Sequence, residues 1–93
     1  MAVELRLSRR FLKALEAFSD EETERIETAL KQLQLQWGAP HLHAGLSIRR
    51  LRANYFECRA GLDLRVVFRA SGDGLDMVLV GDHDAIRRLL RGI

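Results

Sequence analysis

Ninety-three residues with 15 basic and 13 acidic side chains, 47% hydrophobic and 30% charged, suit one small globular domain and exclude a disordered or fibrous chain. No apolar run approaches the ~20 residues of a membrane span. The N-terminal MAVELRLSRR lacks the apolar core of a signal peptide, and a lone Cys58 excludes an internal disulfide, so the expected setting is the cytoplasm, with no membrane partner.

Val3-Glu4-Leu5-Arg6-Leu7 alternates cleanly and predicts a strand. Ser8 can cap a short helix carrying Phe11, Leu12, Leu15 and Phe18 on one side. Ser19 to Glu22 reads as a capping box opening a second helix, whose apolar stripe is Ile26, Leu30, Leu33 and Trp37. Gly38 and Pro40 stop it, and His41 to Gly45 reads as a loop. Strand character returns from Leu46 to Arg52. Tyr55 to Ala70 then reads as a hairpin joined through Gly61.

In that hairpin, Phe56, Cys58, Ala60, Leu64, Val66 and Phe68 share a core face. Tyr55, Glu57, Arg59, Asp63, Arg65, Val67 and Arg69 share the other. Cys58 therefore reads as a small buried hydrophobe. Ser71-Gly72-Asp73-Gly74 signals a turn, Leu75 to Val80 a strand buried on both faces, and Ala85 to Arg91 a tail helix carrying Ile86, Leu89 and Leu90. The order β-α-α-β-β-β-β-α predicts a single α+β domain over residues 1–93, with two N-terminal helices on a mostly antiparallel sheet and a short C-terminal helix.

Charge is polarised along this order. Asp20, Glu21, Glu22, Glu24 and Glu27 crowd the start of the second helix, as helix-start chemistry or as a partner-facing surface. Arg49, Arg50, Arg52, Arg59, Arg65 and Arg69 fall on predicted strands. Of the 15 basic residues only Lys13 and Lys31 are lysine. Arginine's planar fork suits phosphate, although a GC-rich genome gives the same bias without any function.

No cysteine–histidine set has metal-ligand spacing, and neither a nucleotide-cradling glycine loop nor a serine elbow is present, so neither metal nor cofactor is expected. What remains is Asp63, Arg65, Arg59 and His83. A histidine titrates near neutral pH and can move a proton, while arginines stabilise phosphate charge, which is equipment for phosphoryl transfer without a metal. The alternative is a His83 that caps the tail helix between Asp82 and Asp84, with solvated arginines.

Arg49-Arg50-Leu51, Tyr55 to Arg59 (YFECR), Leu64 to Phe68 (LRVVF) and Val80 to Arg87 (VGDHDAIR) fall in one ordered set. That set, behind a strand and two helices, resembles the RelE/ParE superfamily of bacterial toxins across essentially the whole chain. The resemblance implies a type II toxin held in check by a cognate antitoxin, with operator DNA met only through that complex. In the nuclease branch it implies an endoribonuclease that cuts mRNA, commonly on the ribosome, by 2′-hydroxyl attack on the adjacent phosphate. It makes Arg65 and Arg59 phosphate ligands, His83 the proton-transfer group and Asp63 a further catalytic candidate. Arg49, Arg50, Arg52, Tyr55 and Arg87 would meet the RNA. Arg87 stands where many members have tyrosine, Leu64 replaces an aromatic, and Phe56 and Cys58 fall near positions that are catalytic lysines in one branch, so a histidine-centred chemistry is expected. The alternatives are a gyrase inhibitor of the ParE branch and a catalytically degenerate antitoxin binder.

Overall fold

Two serines open the first two helices by the same local chemistry. Ser8 and Ser19 sit in extended backbone, and their hydroxyls accept from the amides of Phe11 and Glu22. The Glu22 carboxylate returns the bond to the Ser19 amide at 3.0 Å, completing the expected capping box. A computed structural model describes residues 3–38 and 46–92, so Pro40 and the expected His41–Gly45 loop lie outside the described residues. The elements are β1 (Glu4–Leu7), α1 (Arg9–Leu15), α2 (Asp20–Gln36), β2 (Arg49–Arg52), β3 (Tyr55–Arg59), β4 (Arg65–Ser71), β5 (Gly74–Gly81) and α3 (His83–Arg91). The order and the α+β class are those expected from the sequence.

The five strands form one mixed sheet in the order β1-β5-β4-β3-β2. β1 runs parallel to β5, and the other three pairings are antiparallel. α1 and α2 supply Phe11, Ile26, Leu30 and Leu33 to a core completed by Cys58, Val66, Phe68, Leu75 and Met77. Trp37 stands edge-on to Phe56 and Phe68 at 5.0 and 5.5 Å, which carries the aromatic contact from the end of α2 onto the sheet. Gly72, with φ +62°, makes the tight β4–β5 turn that the sequence signalled.

Four details depart from expectation, each for a local reason. Leu12 is 49% exposed, because Phe11 and Leu15, one turn apart, already occupy the core side of so short a helix. β2 begins at Arg49 and not Leu46: Ser47 takes φ +52°, and Leu46 dips into the core while its carbonyl accepts from Arg59 at 2.6 Å. α3 begins two residues early, at His83, because Asp82 is the N-cap and accepts from the Ala85 amide at 2.9 Å. Val67, expected on a polar face, is 0% exposed, so β4 is buried on both sides. The second layer is α3, which packs against β5 on the face away from α1 and α2.

Candidate active site on the outer face of the sheet

The pairing register sorts the outer face of the sheet into three rows running across the strands. The first is Arg6, Asp76, Arg69, Tyr55 and Arg52, one residue from each of the five strands. The second is Leu79, Val67, Glu57 and Arg49, and the third is Gly81, Arg65 and Arg59. Between the first two rows the β4 partners jump from Met77 to Leu79, so a bulge at Val78 turns β5 and keeps both Met77 and Val80 in the core.

The first row is an ionic ladder. Asp76 accepts from Arg6 Nε at 2.5 Å and from Arg69 Nη2 at 3.0 Å, and these bonds, Arg6's foremost, hold its carboxyl below the usual carboxylate range. Both guanidinium groups are stabilised in their charged form in return, first of all by the Asp76 hydrogen bond. Arg69 also bonds Tyr55. Arg52 ends the row by donating to the Leu90 carbonyl of α3 at 2.8 Å.

The second and third rows hold most of the candidate catalytic residues. Glu57 is charged and yet buried, 3% exposed, and its Oε1 lies 2.8 Å from Arg49 and 3.9 Å from Arg65. Ser47, Arg49, Glu57, Arg65 and His83 line one surface depression. A second depression adjoins it through the shared Arg65 and His83, and adds Leu62, Asp63, Asp82 and Asp84. His83 is exposed at the first helical position of α3, above a buried carboxylate and two guanidinium groups. Such a constellation can bind a phosphodiester through the arginines and move a proton at the imidazole.

The sequence-predicted residues divide accordingly. Arg65, His83 and Asp63 come together, and Arg49 joins them. Arg59 sits opposite Arg65 in register but lines a separate hollow against α2, with Glu21, Arg25 and Gly61. Arg50 pairs with Phe56, which puts it on the α2 side of the sheet, and its Nε bonds the Ala53 carbonyl of the β2–β3 turn at 2.6 Å. Arg52 and Tyr55 belong to the first row, and Arg87 is exposed one helical turn beyond His83. Gly81 lets the first turn of α3 approach the sheet: a Cβ there would lie 2.8 Å from the Ala85 Cβ. The residue that sequence reasoning missed is Glu57. Its signal was its place between Phe56 and Cys58 on a strand whose outer neighbours are arginines, since a carboxylate there needs a cationic partner.

Among the described residues, no group of three or more His, Cys, Asp or Glu side chains is placed to hold a metal ion. No helix there is long and apolar enough to cross a membrane.

No family model matches the chain, and no curated protein matches it either. Solved structures do. A chain of the RelB–RelE antitoxin–toxin complex from Methanococcus jannaschii superposes with a TM-score of 0.69 at 20% identity, covering 90% of this chain and 96% of that one. A chain of the archaeal RelE–RelB complex from Pyrococcus horikoshii gives 0.70 at 15% identity, covering 88% and 96%. A chain of the Escherichia coli DinJ–YafQ toxin–antitoxin complex gives 0.71 at 13% identity, covering 92% and 98%. The chain has the RelE-type toxin fold.

Proposed function

We propose that this chain is the toxin of a type II toxin–antitoxin pair and acts as an endoribonuclease on mRNA. The observation that carries the reading is the depression in which Glu57, Arg49, Arg65 and His83 meet. The toxin–antitoxin complexes with this fold support the role and the antitoxin partner. The ribosome as the place of cleavage rests on the family resemblance.

In-line cleavage requires three things. The 2′-hydroxyl must lose its proton as its oxygen bonds to phosphorus, the 5′-oxygen must gain a proton as its bond to phosphorus breaks, and the charge developing on the phosphoryl oxygens must be stabilised. The products are a 2′,3′-cyclic phosphate and a 5′-hydroxyl. His83 is exposed, and its imidazole can carry one of the two proton transfers, taking the proton of the 2′-hydroxyl or supplying the one that the leaving oxygen gains, with solvent water carrying the other. Arg65 stays charged and meets the phosphoryl oxygens. Glu57 offsets one of the two positive charges of Arg49 and Arg65 from beneath, holding Arg49 at 2.8 Å with Arg65 at 3.9 Å, and this supports a pre-organised anion site with net positive charge. Asp63 and Asp84 line the same depression as His83 and would orient the imidazole.

The test is cleavage of a defined mRNA with and without ribosomes. His83→Ala should lose about 10²–10⁴-fold in kcat with the fold intact. Arg65→Ala should be comparably damaging, and Arg65→Lys should recover only part because the bidentate fork is gone. Cleavage that survives His83→Ala would remove this reading.

A further inference from the structure

α3 is nine residues long, too short to persist as a helix on its own, so the position of His83 is set by how the helix is docked. Among the described residues, three contacts bear on its docking. At the N-terminal end, Ala85 sits against Gly81 so closely that no side chain fits between them. In the middle, Ile86 is 3% exposed on the side of the sheet where Val67 is 0% exposed. At the C-terminal end, Arg52 donates to the Leu90 carbonyl, 38 residues away in sequence.

The geometry of the rows gives the third contact its meaning. Arg65 and Arg69 are four residues apart on β4, or about 13 Å. His83 and Leu90 are seven apart on α3, or about 10 Å. The helix thus reaches from the row that holds Arg65 to the row that ends in Arg52. We infer that Arg52 is a positioning residue, which clamps the carbonyl end of α3 to the sheet and so holds His83 over Arg65 and Glu57. The last helical carbonyls lack partners within the helix and carry the negative end of its dipole, so a guanidinium suits that site twice over. Arg52 stands at the end of the row that runs through Tyr55, Arg69, Asp76 and Arg6 across all five strands to β1. The role differs from contact with RNA, and its bearing on catalysis rests on the nuclease reading.

The experiment compares full-length wild type, Arg52→Ala, Arg52→Lys and, as a charge control, Arg10→Ala on the exposed side of α1. Amide hydrogen exchange is measured for residues 86–91, with α2 and β4 as internal standards, beside the His83 imidazole resonances and the kinetics of RNA cleavage. Arg52→Ala should speed exchange in residues 86–91 by about 3–10-fold, the value of one hydrogen bond, and leave α2 and β4 unchanged. It should also shift the His83 resonances and lower kcat at constant KM and constant salt dependence. Arg52→Lys should lie between, and Arg10→Ala should match wild type.

Unchanged exchange in α3, with a raised KM and a flatter salt dependence, would make Arg52 an RNA contact and overturn the clamp. A uniform rise in exchange over α2, β4 and α3 would also overturn it. The nuclease reading fails separately, through intact RNA with wild type or full cleavage by His83→Ala, and the exchange data judge the clamp in either case.

Discussion

Glu57 and Cys58 are neighbours on β3 and point to opposite faces, and burial treats them in opposite ways. Glu57 lies beneath two arginines, the pairing that a buried carboxylate needs. Cys58 has apolar company, and burial, followed by the nearby Glu57 charge, pushes its thiol from 9.0 up to about 12. The thiol should therefore be inert in the native state. At pH 8 a disulfide reagent should label it only as fast as the chain opens, and urea should release the full reaction; prompt labelling of the native protein would contradict its place in the core. The linkage has a definite sign. A folded pKa above the unfolded one favours folding fully below about pH 9, and that contribution falls away as pH rises toward about 12. Cys58→Ala should flatten the alkaline loss of stability, measured as the urea midpoint between pH 8 and 10.

At the scale of elements, the junction of β5 and α3 decides how the site is assembled. A Cβ at Gly81 would meet the Ala85 Cβ at 2.8 Å, closer than carbon atoms pack, so Gly81→Ala must push the first turn of α3 off the sheet. We expect a loss of about 1–3 kcal/mol in urea unfolding and displaced His83 resonances, with β4 exchange rates unaltered. A native-like Gly81→Ala protein would show that α3 docks more loosely than its contacts indicate. This junction also marks how far the sequence could be read. The helices were legible because Ser19, Glu22, Ile26, Leu30 and Leu33 carry both cap and stripe, and the strands because β3 and β4 alternate. What alternation cannot show is which outer face a later helix will cover, and so Val67 read as part of a polar face. The spacing that named His83 and Arg65 could not join them to Glu57, because their meeting depends on the three-row register and on α3 folding back over it. Likewise Arg50 and Arg52 look equivalent in sequence, but the register shift between them puts one on each face of the sheet.

Over the whole molecule, the arginine count overstates the free positive charge. Arg6 and Arg69 share Asp76, Arg49 and Arg65 share Glu57, and Arg25 lies 2.6 Å from Glu21. With the acidic first turn of α2 on the opposite layer, the chain should bind polyanions weakly in general, and its RNA affinity should fall only shallowly with salt. Under the proposed toxin reading, a chain that does not bind RNA indiscriminately would act either by chemistry at one site or by binding one target, and the outer-face site separates these. If it acts by chemistry, wild type expressed alone should arrest growth and degrade mRNA, co-expression of the cognate antitoxin should restore growth, and His83→Ala should be harmless yet still folded. Supercoiling by DNA gyrase should be untouched by the purified protein. If it acts by binding, as the gyrase-poisoning alternative requires, toxicity and gyrase inhibition should persist in His83→Ala while RNA stays intact. Harmless wild type at high yield would leave an antitoxin binder without activity. The first pattern is the one we expect, because arginines set over a buried carboxylate beside an exposed histidine offer the anion binding and the proton transfer that phosphodiester cleavage uses, and binding to a protein surface needs no proton transfer.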